Sequence, residues 1–338
     1  MAITPTALAD YAARYKPRGL DVHEERIGSY GMFTFAVNDA KNLIDTKGIN
    51  AGRTAESRTV KVPVLNKEVV TINNARSLTI TGNASTSAFQ AVTYVTLASD
   101  ITMERMSYYD NEIQYQQVLD RKLLALQNAW LEQLDQMAVD QAIVARTQFD
   151  ASAGVPYTLA LDILEVPNAD KEEWFGEIDA IYNINNFDAA TMAIVGDPRL
   201  RTVVKGIDEF AIYNSQNKAL RLNGKDITFS NRVPKTGSYG AFVMLEGSLG
   251  IMNWNGKEYI DGVKETESKF KSIAFMPKLG LDVEVFHDSK FTDLTPGIPG
   301  SETSMVDHIQ VSTDIAVISA YQSAPVTVAS PIFQVNIT

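Results

Sequence analysis

The chain has 338 residues, 45% of them hydrophobic and 21% charged, with a formal net charge of −11 and no cysteine. That balance excludes a disordered chain and is enough for one large or two modest cores. It leaves no disulfide framework, thiol nucleophile or thiolate metal site, and the acidity argues against a phosphate-neutralising grip on nucleic acid, which needs a basic face.

The opening residues, MAITPTALADYAARYKPRGLDVHEER, lack the basic-then-apolar layout of a secretory signal, so a cytosolic setting is expected. No stretch approaches the roughly 18 apolar residues of a membrane helix. Residues 1–45 read as an irregular arm with one short helix at Ala7–Tyr15, ended by Lys16-Pro17-Arg18-Gly19. Strands come next. Thr59–Val64 alternates β-branched with other residues, Asn66-Lys67 makes a turn and Val69–Ile72 returns. Asn73-Asn74 interrupts before Ser77–Gly82 and Phe89–Leu97 resume, and Pro63 marks an edge strand. The whole is a long polar hairpin with too few large apolar residues to stand alone.

Its charge stands out. From Thr46 to Val95, Lys47, Arg53, Arg58, Lys61, Lys67 and Arg76 outnumber Glu56 and Glu68, giving 6 − 2 = +4 and leaving −11 − 4 = −15 for the remainder. A basic ribbon on an acidic body has an obvious partner in a second copy of that body; charge scatter on a solvated loop is the equal alternative.

From Asn83 to Ala153 there is neither glycine nor proline, and the second half reads as one long amphipathic helix. Leu119, Leu123, Leu126, Trp130, Leu134 and Met137 form a stripe extended by Val144, with Asp120, Arg121, Lys122, Glu132, Asp135 and Asp140 largely off it. Tyr108 to Thr147 would span roughly 60 Å. The stripe repeats nearer to every ~3.6 residues than every ~3.5, which favours a spine over a coiled coil.

After Gly154-Val155-Pro156, Trp174–Phe187 reads as a second helix. Thr191–Gly206 switches from a buried strand to a helix, with Asp197 as cap and Pro198 at the first helical position. Strands are expected at Asp226–Ser230, Gly240–Leu245, Gly247–Trp254, Phe270–Met276 and Gly280–Asp288, then in HIQVS, DIAVISAY and PIFQVNIT beyond Ser304. Helix and strand interleave, so the class is α+β, and the last strands are expected to return to the spine.

The search for chemistry is empty. His23, His287 and His308 have no ligand spacing, and His23-Glu24-Glu25 lacks the second histidine of a zinc-protease motif. In Gly250–Glu258 the glycines stand one residue too far apart for a phosphate loop, and Glu258 follows Lys257 where a hydroxyl is required. Trp254-Asn255-Gly256-Lys257 reads instead as a hairpin turn. Asp170, Glu172, Glu173 and the pair Glu265 and Glu267 read as solvated faces, and Trp130 and Met137 as core. No catalytic, cofactor-binding or metal residue is expected, so the protein is read as structural and not as an enzyme.

An arm, a basic β-hairpin, a long spine helix, a mixed α/β segment and a strand-rich end follow one another. This order resembles the HK97-fold major capsid proteins of tailed bacteriophages. The segments nearest that family's habit are DRKLLALQNAWLEQLDQMAVDQAI and GSLGIMNWNGKEY. The resemblance implies an N-terminal arm over 1–45, an E-loop β-hairpin over 46–98 and a P-domain with the spine helix over 99–190. It further implies a mixed α/β A-domain over 191–300 and a return to the P-domain over 301–338. By the same resemblance the chain is a coat protein. It would self-assemble into pentamers and hexamers of an icosahedral shell around phage double-stranded DNA, in the host bacterial cytoplasm, and reside in the virion capsid.

Implied partners are further copies of itself, a separate scaffolding protein (no large charged extension precedes the arm) and a portal. Packaged DNA would be met only non-specifically, with no membrane and no cofactor. Arg58, Lys61, Lys67 and Arg76 are the expected E-loop contacts. Some family members crosslink an E-loop lysine to a neighbour's asparagine, and no motif here points to that. Three alternatives stand: an encapsulin-like nanocompartment with the same fold, a phage tail protein, and a cytosolic enzyme with a carboxylate site.

Overall fold

The structure is a computed structural model. It describes residues 30–43, 59–64, 72, 88–105, 112–146, 157–160, 163–184, 187, 192–207, 211–214, 219–222, 225–256, 269–293, 303–319 and 331–338. In chain order these form α1 (Gly31–Leu43), β1 (Thr59–Val64), β2 (Ala88–Thr93), β3 (Val95–Glu104) and the long helix α2 (Glu112–Ala145). Next come β4 (Thr158–Ala160), β5 (Ile163–Val166), α3 (Trp174–Ile184), β6 (Met192–Gly196), α4 (Leu200–Gly206), β7 (Ala211–Asn214), β8 (Ala219–Leu222) and β9 (Lys225–Phe229). The chain closes with β10 (Tyr239–Leu245), β11 (Leu249–Trp254), β12 (Lys269–Met276), β13 (Leu281–Asp293), β14 (Thr303–Ser319) and β15 (Ile332–Ile337). Helices are interspersed among strands up to α4 and only strands follow it among the described residues, so the class is α+β.

The 34 residues of α2 lie along a sheet built around β14. One edge of β14 pairs with β3. The other pairs first with β13 and then with β11, and β12 follows β13. Alternation sorts the side chains: Ile309, Val311 and Ile315 share one core with Leu119, Leu123, Leu126, Trp130 and Leu134 of α2. Polar ties fix the helix lengthwise, since Lys122 Nζ donates to the Thr102 carbonyl at 2.6 Å and Trp130 Nε1 donates to Ser99 Oγ at 2.8 Å.

The second sheet runs β4-β5-β15-β10-β6-β9-β8-β7, with β5–β15 and β6–β9 parallel. One face packs on α3 and α4 through Ile194, Val243, Phe333 and Val335. The other gives Val195, Phe242, Met244 and Ile332 to the α2 core. The two sheets therefore share a core.

Several expectations change. Val144 is 68% exposed, and beyond Leu134 the buried face continues through Ala138, Val139, Ala142 and Ala145. These mostly small side chains leave room for α1, whose Phe33 reaches Asp135. Asp135, expected off the stripe, is fully buried. Helix α1 lies in the region read as irregular arm, and its Met32, Phe33 and Ala36 are core residues; Ala7–Tyr15 lies outside the described residues.

HIQVS and the DIAVIS of DIAVISAY fall on one 17-residue strand, because Ser312 and Thr313 are buried and stay in the ladder; Ala320 and Tyr321 lie outside the described residues. Phe89–Leu97 is split, since Tyr94 leaves β2 for β3 and the chain changes partner from β1 to β14. Strands β4, β5, β7 and β8 were not anticipated. Helix α4 begins without a side-chain cap, and the Asp197 carboxylate takes Lys235 Nζ at 2.7 Å. Sheet membership also crosses the boundaries expected near 190 and 300: β11, β12 and β13 join the α2 sheet, whereas β15 joins the eight-stranded one. Val69–Thr71, Ser77–Gly82, Lys257 and Glu258 lie outside the described residues.

The burial pattern gives a direct check by chemical denaturation of the purified protein. Leu134→Ala should lower stability by about 2–5 kcal/mol through the cavity it leaves. Val144→Ala should stay within about 0.5 kcal/mol. Equal losses would mean that the helix presents a different face.

Candidate assembly surface

Strands β1 and β2 form a sheet of their own, antiparallel in register from Thr59↔Thr93 to Val64↔Ala88. The side chains alternate cleanly. Val62, Val92 and Tyr94 turn inward and pack with Met252, Ala316 and Ile318 on the face of the β14 sheet opposite α2. Thr59, Lys61, Ala91 and Thr93 are exposed on the other face. The base of the ribbon is thus anchored on its own subunit. Pro63 opposite Phe89 is tolerated in this two-stranded sheet, where a ladder donor can be spared. Of the expected contact residues, the structure places Lys61 on the exposed face; Arg58, Lys67 and Arg76 lie outside the described residues.

The register fixes what else shares that outer face of the β14 sheet. Asp100 stands opposite Gln310, Glu104 opposite Val306 and Asp314 opposite Thr96. Glu284 and Asp288 follow on β13, with Asp282 exposed at its start. Lys269, Lys271 and Lys290 are the lysines on the same face. Among the described residues this face is predominantly acidic.

Beneath it, on the α2 side, Asp307 forms a buried knot. Arg105 donates to both carboxylate oxygens at 2.7 Å, from Nε and Nη2, and Tyr115 donates its hydroxyl at 2.9 Å. Ser289 Oγ donates to the same carboxylate, and His287 Nε2 stands 3.3 Å away. Burial pushes the Asp307 pKa up, but the donors from His287, Arg105, Ser289 and Tyr115 together hold it well below the usual carboxylate range.

Serine, histidine and aspartate here do not make a nucleophilic triad. In a triad the serine and the carboxylate occupy opposite ring nitrogens; here both address Nε2, and the serine hydrogen is given to the aspartate. The knot ties the end of β3 to the start of α2. A fork–fork arginine pair gives geometry as well as attraction, so it fixes where the helix begins over the sheet.

A second buried acid, Asp135, accepts the Phe33 N–H at 2.9 Å and the Ser230 hydroxyl, with Arg232 at 3.9 Å. Burial raises its pKa, and the hydrogen bonds from Ser230 and Phe33 and the nearby Arg232 charge offset only part of that. Sequence reasoning passed over both acids. The signal was present, because Asp135 lies four residues after Leu131 and three before Ala138, and Asp307 alternates with Ile309 and Val311. His308 is half-buried on the outer face, Asp170 is half-buried, Glu172 and Glu173 are exposed, and His23, Glu265 and Glu267 lie outside the described residues.

The Asp307 knot makes stability pH-dependent in a definite direction. An unfolded aspartate titrates near pH ~3.9. The contribution of Asp307 is therefore complete above that value and is lost as the pH falls below it. Asp307→Asn should cost roughly 3 kcal/mol at neutral pH, the low end for breaking a buried pair because water still reaches Arg105. Denaturant melts from about pH 3 to 7 should show part of the acid loss missing in this variant. An unaltered acid limb would remove Asp307 as its source.

No protein-family model and no curated protein matches the sequence. Among solved structures, the chain is similar to one from Mycobacterium phage Che8, with a TM-score of 0.49 and 10% identity over 90% of both chains. It is similar to the capsid of the cyanophage P-SCSP1u, with a TM-score of 0.45 and 14% identity over 84% of this chain and 85% of the other. A third similarity is to the holo-SrpI encapsulin complex of Synechococcus elongatus, with a TM-score of 0.44 and 7% identity over 87% and 88% of the two chains.

Proposed function

We propose that this chain is a major coat protein of a tailed bacteriophage, assembling into pentamers and hexamers of an icosahedral shell around double-stranded DNA. The observation that carries the reading is the order and proportion of the elements. A two-stranded ribbon is followed by β3 and then by a 34-residue helix on a sheet whose central strand runs 17 residues, and a second sheet is inserted between helix and strand. In this reading 46–98 is the E-loop, α2 with the β14 sheet is the P-domain, and the eight-stranded sheet is the A-domain.

The ribbon and the acidic outer face supply the contact. The ribbon segment carries +4 overall and exposes Lys61, while the outer face of the β14 sheet exposes Asp100 and Asp282. Laid over the acidic face of a neighbouring copy, the ribbon would gain the partner surface that two strands need. Its charge would steer orientation more than it adds affinity. Each contact joins different patches on the two copies, and heterologous contacts of this kind close into rings. Many individually weak joints then suffice, because each closed ring multiplies them. Scaffolding protein, portal and loosely held DNA complete the proposed set of partners.

Reversing the charges of Arg58, Lys61, Lys67 and Arg76 together should abolish assembly while leaving the thermal melt of the purified protein unchanged. Particle yield by negative-stain electron microscopy and light scattering reads the first; circular dichroism reads the second. Undiminished assembly would sink the ribbon contact. In the parent, tubes would indicate a tail protein, and closed shells that co-purify with an enzyme cargo would indicate an encapsulin. A species that stays small at every concentration and salt, even with scaffold supplied, would end the coat reading.

A further inference from the structure

We propose that α1 is a clasp that sets the angle between the two large sheets, closed at one end by Asp135 and at the other by Asp39. The inference goes beyond the coat reading and holds whether or not the protein builds a shell.

Helix α1 touches β11 of the five-stranded sheet and β6 and β9 of the eight-stranded one. Its Met32, Phe33 and Ala36 are buried in the core that the sheets share. That much would describe any interior helix. What sets α1 apart is a buried carboxylate at each end, each held by donors from a different part of the chain.

At the start of α1, Asp135 of α2 accepts the Phe33 N–H and the Ser230 hydroxyl. Ser230 follows β9 and is itself bonded through its N–H to the Gly196 carbonyl at 2.9 Å, at the end of β6. Tyr30 bridges to Ser230, and Gly31 approaches so closely that a Cβ there would lie 2.7 Å from the Phe229 carbonyl oxygen. This end is therefore fixed to the eight-stranded sheet.

Further along, Asp39 accepts the N–H of Gly247 at 2.5 Å and of Leu249 at 3.3 Å. That is where the chain leaves β10 and enters β11, crossing from one sheet to the other with Gly247 at φ 79°. A buried carboxylate is unfavourable unless its oxygens are satisfied. Each acid thus holds its donors in place, and a change of angle between the sheets would pull on both ends at once.

The parent has no cysteine, so two spin labels can be placed cleanly on the full chain. Glu172→Cys labels the α3 side and Lys290→Cys labels β13; both positions are exposed. Pulsed dipolar distances are compared among the doubly labelled parent, Asp135→Asn, Ser230→Ala, Asp39→Asn and the control Gln136→Ala, all unassembled. Amide exchange is followed in the same proteins.

The clasp predicts a broadened or displaced distance distribution in the three clasp variants. It also predicts a loss of protection of roughly ten- to hundredfold, concentrated in 31–43, 226–232 and, for Asp39→Asn, 247–249, as expected for losing a hydrogen bond to a charged group. The control should match the parent. Unchanged distances with unchanged protection would overturn the proposal. So would a uniform loss of protection across both sheets, which would mark the acids as merely stabilising. If Asp135→Asn does not fold, Ser230→Ala and Asp39→Asn carry the test. No outcome depends on shell formation, so the coat reading stands or falls separately.

Discussion

The constraint on which the structure depends is a match of length between a helix and a strand. At 1.5 Å per residue the 34 residues of α2 extend about 51 Å. At about 3.3 Å per residue the 17 residues of β14 extend about 56 Å. Neither could be that long alone. A strand of this length must be paired along both edges, and β14 is paired by β3 on one side and by β13 and then β11 on the other. A helix of this length must bury one face throughout, and that sheet supplies the surface from Leu119 to Leu134. Hydrophobic burial makes the contact, and it is nearly indifferent to sliding.

Directional groups remove that freedom. Arg105 and Tyr115 meet at Asp307 near the start of the helix, Trp130 meets Ser99 along it, and Arg146 donates to Gln334 of β15 beyond its end. Buried polar groups of this kind cost stability if left unpaired, so only one placement satisfies them all. Packing supplies the energy, and the polar ties supply the register.

Legibility in the sequence followed the range of the forces involved. The long helix, α3 and the strands β11, β12 and β13 of the α2 sheet are set by local periodicity and could be read directly. Helix α1 could not. Its sequence, GMFTFAVNDAKNL, has no acidic residue in its first turn, because the carboxylate serving that end is Asp135, about a hundred positions away. The union of HIQVS with the segment after Thr313 into one strand was hidden for the same reason, since Thr313 is held in the ladder opposite Leu97 of β3. Of the candidate site, the alternation of β1 was legible and so was the outward face of Lys61. The seat of the ribbon on Met252, Ala316 and Ile318 was not, because it joins residues more than 150 positions apart.

Gly31 shows how narrowly such a design can depend on a missing atom. Every single-base missense change in a glycine codon introduces a side chain, and at this position the first carbon would meet backbone atoms of Phe229 under 3 Å away. Backbone in a paired strand cannot swing aside as a flexible side chain would. Drift in the gene can therefore alter solvated side chains away from the ribbon contact, while every missense neighbour of codon 31 drives a side chain into the Phe229 backbone. Lesions there would surface as temperature-sensitive alleles, with defects suppressed by changes near Phe229 rather than by changes in the ribbon.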